Sequence, residues 1–123
     1  MRFELTYENR PLTTNAERRG NRWGRADHVK HWRDTFAWLA KAERIPRMAW
    51  LDITAQPTQA RGRLQDTAAC NPSVKAAIDG LVDAGIVPDD TGTYVRKITF
   101  LPCLRGPDRL TLIIEGEREC QDH

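Results

Sequence analysis

The segment from Asn71 to Ile86, NPSVKAAIDGLVDAGI, most limits what this chain can become. Asn71 suits an N-cap, and Pro72 suits a first helical turn, where a missing N–H costs nothing. Val74, Ala77, Ile78, Leu81 and Val82 then recur at helical spacing, and Gly85 followed by Ile86 reads as a helix stop with an apolar anchor. On either side of this helix the apolar period is two rather than 3.6, so strands flank it. Residues 2–7, RFELTY, alternate with Phe3, Leu5 and Tyr7 on one side. In residues 47–56, Met48, Trp50, Asp52 and Thr54 face one way and Ala49, Leu51, Ile53 and Ala55 the other, with Pro57 ending the pattern. Asp52, a carboxylate inside a strand, is a candidate functional acid.

Two further strands are expected at 93–101 and 110–115, with Gly106-Pro107-Asp108 as the connection of a hairpin. A first helix is expected from Asp27 to Glu43, with Val29, Trp32, Phe36 and Leu39 or Ala40 along one stripe, Asp27 as its cap and Pro46 preventing continuation. The charged tail 116–123 is expected to fray. These elements predict an α+β fold: a small mixed α/β domain over residues 1–123, with a short sheet packed against two helices. With 123 residues, 40% hydrophobic and 29% charged, the chain has material for one core under a polar surface, which excludes wholesale disorder. It has no apolar run near membrane-spanning length and no signal-peptide segment at its start, so the expected location is the cytoplasm. Three scattered cysteines, Cys70, Cys103 and Cys120, fit reduced thiols better than a zinc site, and His28 and His31 lack an obvious third ligand.

Charge is distributed unevenly. Residues 1–63 carry 13 basic and 7 acidic side chains, whereas residues 64–123 carry 6 basic and 10 acidic. Such asymmetry suits a polyanion-binding surface beside an acidic, cation-holding site, and also suits two solvated faces of an ordinary domain. The polar stretch from Arg10 to Arg25 reads as a long loop. Its Arg18, Arg19, Arg22 and Arg25, with Trp23 among them, are candidates for contact with nucleic acid: guanidiniums pair with phosphates and an indole stacks on an exposed base. Arg61 and Arg63 place two more guanidiniums shortly before Asp66. Asp66, Asp79, Asp89 and Asp90, with Asn71 as a neutral oxygen donor, have the chemistry that magnesium or manganese prefers. Lys75 adds positive charge near a phosphoryl group, one turn after Asn71. An i,i+4 surface ion pair with Asp79 is the plainer reading of Lys75, and turn residues that of Asp89-Asp90.

The segment Asp66 to Asp90, DTAACNPSVKAAIDGLVDAGIVPDD, resembles the central motif of the RusA-like endodeoxyribonucleases, Holliday-junction resolvases often encoded by phages and prophages. In that family an acidic loop leads into a helix carrying a lysine and, four residues later, an acid, followed by a hydrophobic turn and a paired-Asp motif. Lys75, Asp79 and Asp90 match the lysine, the acid and the catalytic member of the pair, with Asp89 beside it. The acidic loop departs from the pattern: Ala69 and Asn71 occupy its usual acidic positions, Pro72 the neighbouring asparagine position, and Asp66 lies three residues early. The resemblance implies a homodimer that nicks branched DNA, ideally a four-way junction, using Mg2+ or Mn2+. It implies Asp66 and Asp90 on the metal, Asp89 and Asn71 beside them, Asp79 supporting the site, Lys75 at the scissile phosphate, and the arginines on the DNA backbone. Two other classes remain open: a catalytically inactive branched-DNA-binding protein, and a structural or partner-binding protein.

Overall fold

The computed structural model describes residues 1–13 and 22–120, with the backbone alone for 22–25. Seven elements follow one another: β1 (Arg2–Tyr7), α1 (Arg22–Ala42), β2 (Met48–Gln59), α2 (Asn71–Asp83), β3 (Val95–Phe100), β4 (Leu104–Arg105) and β5 (Arg109–Arg118). They form a small mixed α/β domain in which two helices pack against a five-stranded mixed sheet. The sheet order is β1-β5-β2-β3, with β4 also on β2. β5 is antiparallel to both β1 and β2, whereas β3 and β4 run parallel to β2.

The apolar periods meet in one core. Leu5 from β1, Leu51, Ile53 and Ala55 from β2, and Leu110, Leu112 and Ile114 from β5 pack with Trp32, Phe36 and Ala40 of α1 and Val74, Ala77, Ile78 and Leu81 of α2. Fully burying each large side chain in this set contributes about 1.5–3 kcal/mol. The helices approach closely because Gly80 has no side chain: a Cβ there would lie 2.3 Å from the Arg33 carbonyl oxygen. Gly85, at φ +81°, closes α2 as expected. Its N–H donates to Val82 O at 2.9 Å and that of Ile86 to Leu81 O at 3.2 Å, and Ile86 is buried behind them.

Several boundaries differ from expectation. α1 begins at Arg22, so residues 22–25 are helical rather than loop and Asp27 lies inside the helix, not at its cap. The arginines there are good helix formers, and the single Gly24 costs only about 1 kcal/mol. The N-cap of α2 is Cys70, without a side-chain cap bond, and Asn71 is the first helical residue. Met48 turns into the core beside Leu51 because a bulge between Met48 and Trp50 shifts the alternation and leaves Ala49 exposed.

Pro57 does not end β2, which runs to Gln59. Leu51 N–H bonds to Tyr94 O, Leu101 N–H to Ala55 O, and Gly106 N–H to Gln59 O, so the odd-numbered backbone groups of β2 face β3 and β4. Pro57 therefore turns its missing donor toward the gap between β3 and β4, where no ladder bond is lost. β3 and β5 do not form a hairpin, since β2 lies between them. The Gly106–Asp108 connection wraps over the end of β2, where Thr58 Oγ1 bonds to Pro107 O and Ala60 N–H donates to Asp108 Oδ1 at 2.9 Å. At the other end β5 continues to Arg118 rather than fraying from Gly116. Gly116 is buried against Trp50, and the Glu119 N–H reaches Arg47 O at 2.9 Å.

Candidate functional site

The site is built around the first two turns of α2 and the loops that approach them. Before the helix, Ala69 N–H bonds to Asp66 O and Asn71 N–H to Ala68 O, with Ala68 at φ 71°, so successive turns wind the chain into the helix. Leu12 N–H donates to Ser73 Oγ at 2.6 Å and ties the segment after β1 to the same turn. Ser73 is one of two fully buried polar side chains among the described residues; the other is Gln59, the last residue of β2.

Gln59 organises the loop that carries Arg61 and Arg63. Its Nε2 donates to Arg61 O at 2.5 Å and Arg63 O at 2.8 Å, and its Oε1 accepts from Gln65 N–H at 3.2 Å. Arg105 braces the same loop from β4, donating to Gly62 O at 2.9 Å. Their backbone thus held, Arg61 and Arg63 are exposed. Neither Gln59 nor Arg105 is among the expected site residues. The signal for Gln59 is its position: it falls on the inward register of β2, where an amide stays buried only if its donors and acceptors are used.

Lys75 and Asp90 come together. The Lys75 ammonium on α2 lies 3.8 Å from Asp90 Oδ2 on the turn before β3. Asp90 N–H donates to Asp89 Oδ1 at 2.7 Å, which turns the Asp89 carboxyl back onto its own loop. On one helix face Asn71 and Lys75 are one turn apart and both exposed. Asp79, the next residue along that stripe, is half-buried, and its charge acts on Arg33 of α1. Asp66 is exposed. Among the described residues no three His, Cys, Asp or Glu side chains form a group that could hold a metal ion, so the expected set of Asp66, Asp89 and Asp90 is not assembled as an all-protein cage. The donors are the hard oxygens a divalent cation takes, but their arrangement does not define a metal centre by itself.

The other expected residues are placed as follows. Arg18 and Arg19 lie outside the described residues. Arg22, Trp23 and Arg25 are on the first turn of α1, and their side chains lie outside the description. Asp52 stands on the sheet face opposite the helices, held by Arg96 at 3.2 Å, and Arg96 in turn covers the Trp50 ring at 3.5 Å. The Arg96 hydrogen bond keeps the Asp52 carboxyl below the usual carboxylate range, as expected for a structural ion pair. Cys70 and Cys103 are buried free thiols; burial pushes Cys70 up to about 11 and raises Cys103, so both are protonated at neutral pH.

What the fold and site define is thus a class: a mixed α/β domain with an arginine-bearing loop leading into a helix whose lysine meets a paired-Asp turn. Compared with protein-family models and with curated proteins, the chain finds no match.

Proposed function

We propose that the chain is a RusA-like endodeoxyribonuclease that nicks four-way junctions or other branched DNA as a homodimer in the cytoplasm of a bacterial cell. The reading is carried by one observation: Lys75 and Asp90, 15 residues apart in sequence, lie 3.8 Å apart across two elements. These are the residues that match the family's lysine and catalytic acid. In this reading Lys75 offsets the charge of Asp90 and contacts the scissile phosphate. Arg61 and Arg63, with the arginines of the 18–25 stretch, bind neighbouring phosphates, so affinity falls as salt rises. Two-fold symmetry supplies paired incisions on a symmetric junction. A requirement for Mg2+ or Mn2+, drawing on Asp66, Asn71, Asp89 and Asp90, belongs to the proposal as a quantity to be measured.

Among the described residues no three His, Cys, Asp or Glu side chains form a metal-holding group, so a second reading is kept beside the first: a protein that binds branched DNA without cutting it. One experiment separates the two. Labelled four-way junction and matched linear duplex are incubated with wild-type, Asp90→Asn and Lys75→Gln protein in magnesium, manganese or EDTA. The nuclease reading expects paired, metal-dependent incisions, abolished in Asp90→Asn and slowed about 10²-fold in Lys75→Gln, with junction binding retained. Tight junction binding without incision under any metal establishes the second reading. Equal loss of binding and cutting in Lys75→Gln assigns that residue to DNA positioning alone.

A further inference from the structure

A cavity of about 160 Å3 opens between the segment after β1 and the first half of α1, lined by Asn9, Arg10, Leu12, His28, His31 and Trp32. Its volume matches that of cavities that admit a benzene-sized molecule, about 150 Å3. Among the described residues no carboxylate lines it, and three of the six lining side chains are the basic residues Arg10, His28 and His31. Arg10 is exposed, and among the described residues its guanidinium has no acidic partner. Arg10 lines the cavity, and its guanidinium carries planar, paired N–H donors, the geometry that matches phosphoryl and carboxylate oxygens.

The walls are fixed by contacts that leave those donors unspent. Trp32 is 2% exposed, set edge-on to Tyr7 at 5.0 Å and stacked on Phe36 at 6.0 Å, so the apolar floor belongs to the core. Asn9 Oδ1 accepts the Arg10 N–H at 2.9 Å and its Nδ2 donates to Tyr7 Oη at 3.3 Å, which uses the amide to set the backbone at Arg10. The Tyr7 hydroxyl is also hydrogen-bonded to His31 Nε2. That bond occupies Nε2 and leaves Nδ1 as the other ring nitrogen of this pocket-wall residue. His28 lies three residues earlier on the same helix, and among the described residues its ring too has no partner.

From this geometry we infer that the cavity is a binding site for one phosphate group, with Arg10 as its principal anchor and His28 and His31 as further donors. Two sources share that chemistry: free phosphate and a phosphate of a nucleic-acid strand. The second is sterically natural because Leu12, which lines the cavity, is bonded to Ser73, two residues before Lys75. The inference does not depend on the nuclease reading.

The test follows the His28 and His31 imidazole NMR signals of metal-free protein in EDTA, so no cleavage is involved. Inorganic phosphate and a dinucleotide with one internal phosphodiester are titrated against chloride at matched ionic strength and against a free nucleoside. Saturable shifts of both histidines with phosphate, absent with chloride, assign a free-anion site; saturation with the dinucleotide alone assigns a strand phosphate. In either case Arg10→Gln weakens the dissociation constant at least ten-fold, His28→Gln weakens it less, and Arg2→Gln, remote on β1, leaves it unchanged. Shifts that never saturate, or an affinity unaltered in a folded Arg10→Gln protein, overturn the assignment.

Discussion

The two ends of α2 are treated differently by the fold. At the C-terminal end the polar groups are used by the protein itself: Arg33 of α1 holds Asp83 through two bonds of 2.6 and 2.8 Å, Gly80 lets the Arg33 backbone press against the helix, and Gly85 closes the last carbonyls. At the N-terminal end hydrogen-bonding capacity is left over. Cys70 caps without a side-chain bond, Asn71 is exposed, Lys75 stands 3.8 Å from Asp90, and the buried amide atoms of Gln65 have no partner among the described residues. A bidentate arginine pair stabilises, whereas a single, longer lysine contact adds little and leaves both charges available. The closed end therefore belongs to stability, and under the proposed function the open end serves binding, a division that substitutions at each end can test.

The largest effect is expected at Gly80. Alanine there would bring a Cβ within 2.3 Å of the Arg33 carbonyl oxygen and 2.9 Å of the Ala37 nitrogen. Backbone cannot move aside as a side chain does, so the helices must separate, at a cost of about 3 kcal/mol, the upper part of the overpacking range. Urea unfolding of Gly80→Ala measures this. A change below about 0.5 kcal/mol, the size of a neutral surface substitution, would show that the closed end is not tightly packed.

Asp83→Asn is expected to do less, because the pair it breaks is partly exposed, at 46% and 38% for the two side chains. The loss is about 1 kcal/mol or less. Its pH dependence identifies the source. Hydrogen bonding from Arg33 holds the folded Asp83 carboxyl below its usual range, so the unfolded state takes up its proton first as pH falls. The stabilisation is whole above the unfolded carboxylate range, about pH 4, and disappears as pH drops through the lowered folded value. The stability gap between wild type and Asp83→Asn should be constant from neutral pH to about 5 and close below 4; a gap unchanged at pH 3 would place its origin elsewhere.

Legibility in the sequence follows the same contrast between local and distant determinants. β1, the Trp32–Phe36–Ala40 stripe, the apolar side of α2 and the Gly85 stop were readable because each is set by neighbours within a turn or a strand. Strand pairing was not: whether 93–101 lies beside 110–115 depends on the Gly106–Asp108 connection crossing the end of β2, which no local pattern records. Pro57 misled for a related reason, since its cost depends on which neighbour its nitrogen faces. At the proposed site, Lys75 and Asp90, which the family resemblance singles out, lie 3.8 Å apart, while Asp52 and Asp79 each act on an arginine of another element. Arg10 stayed hidden because its surroundings depend on the packing of the segment after β1 against α1.

The smallest effect is expected at Asn71, and there the comparison is sharpest. A side-chain cap replaced by alanine typically loses about 1 kcal/mol. Asn71 instead occupies the first helical position, exposed, with no cap bond in use. Alanine has the better helix propensity, so Asn71→Ala should leave stability within about 0.5 kcal/mol of wild type in urea unfolding. The same variant assayed on four-way-junction DNA isolates what the side chain does for a ligand. Weakened binding or slowed nicking with unchanged stability places the Asn71 amide among the groups the open end holds in reserve. A loss of about 1 kcal/mol in stability would instead make it a cap after all, and the N-terminal end of α2 would then be closed like the other.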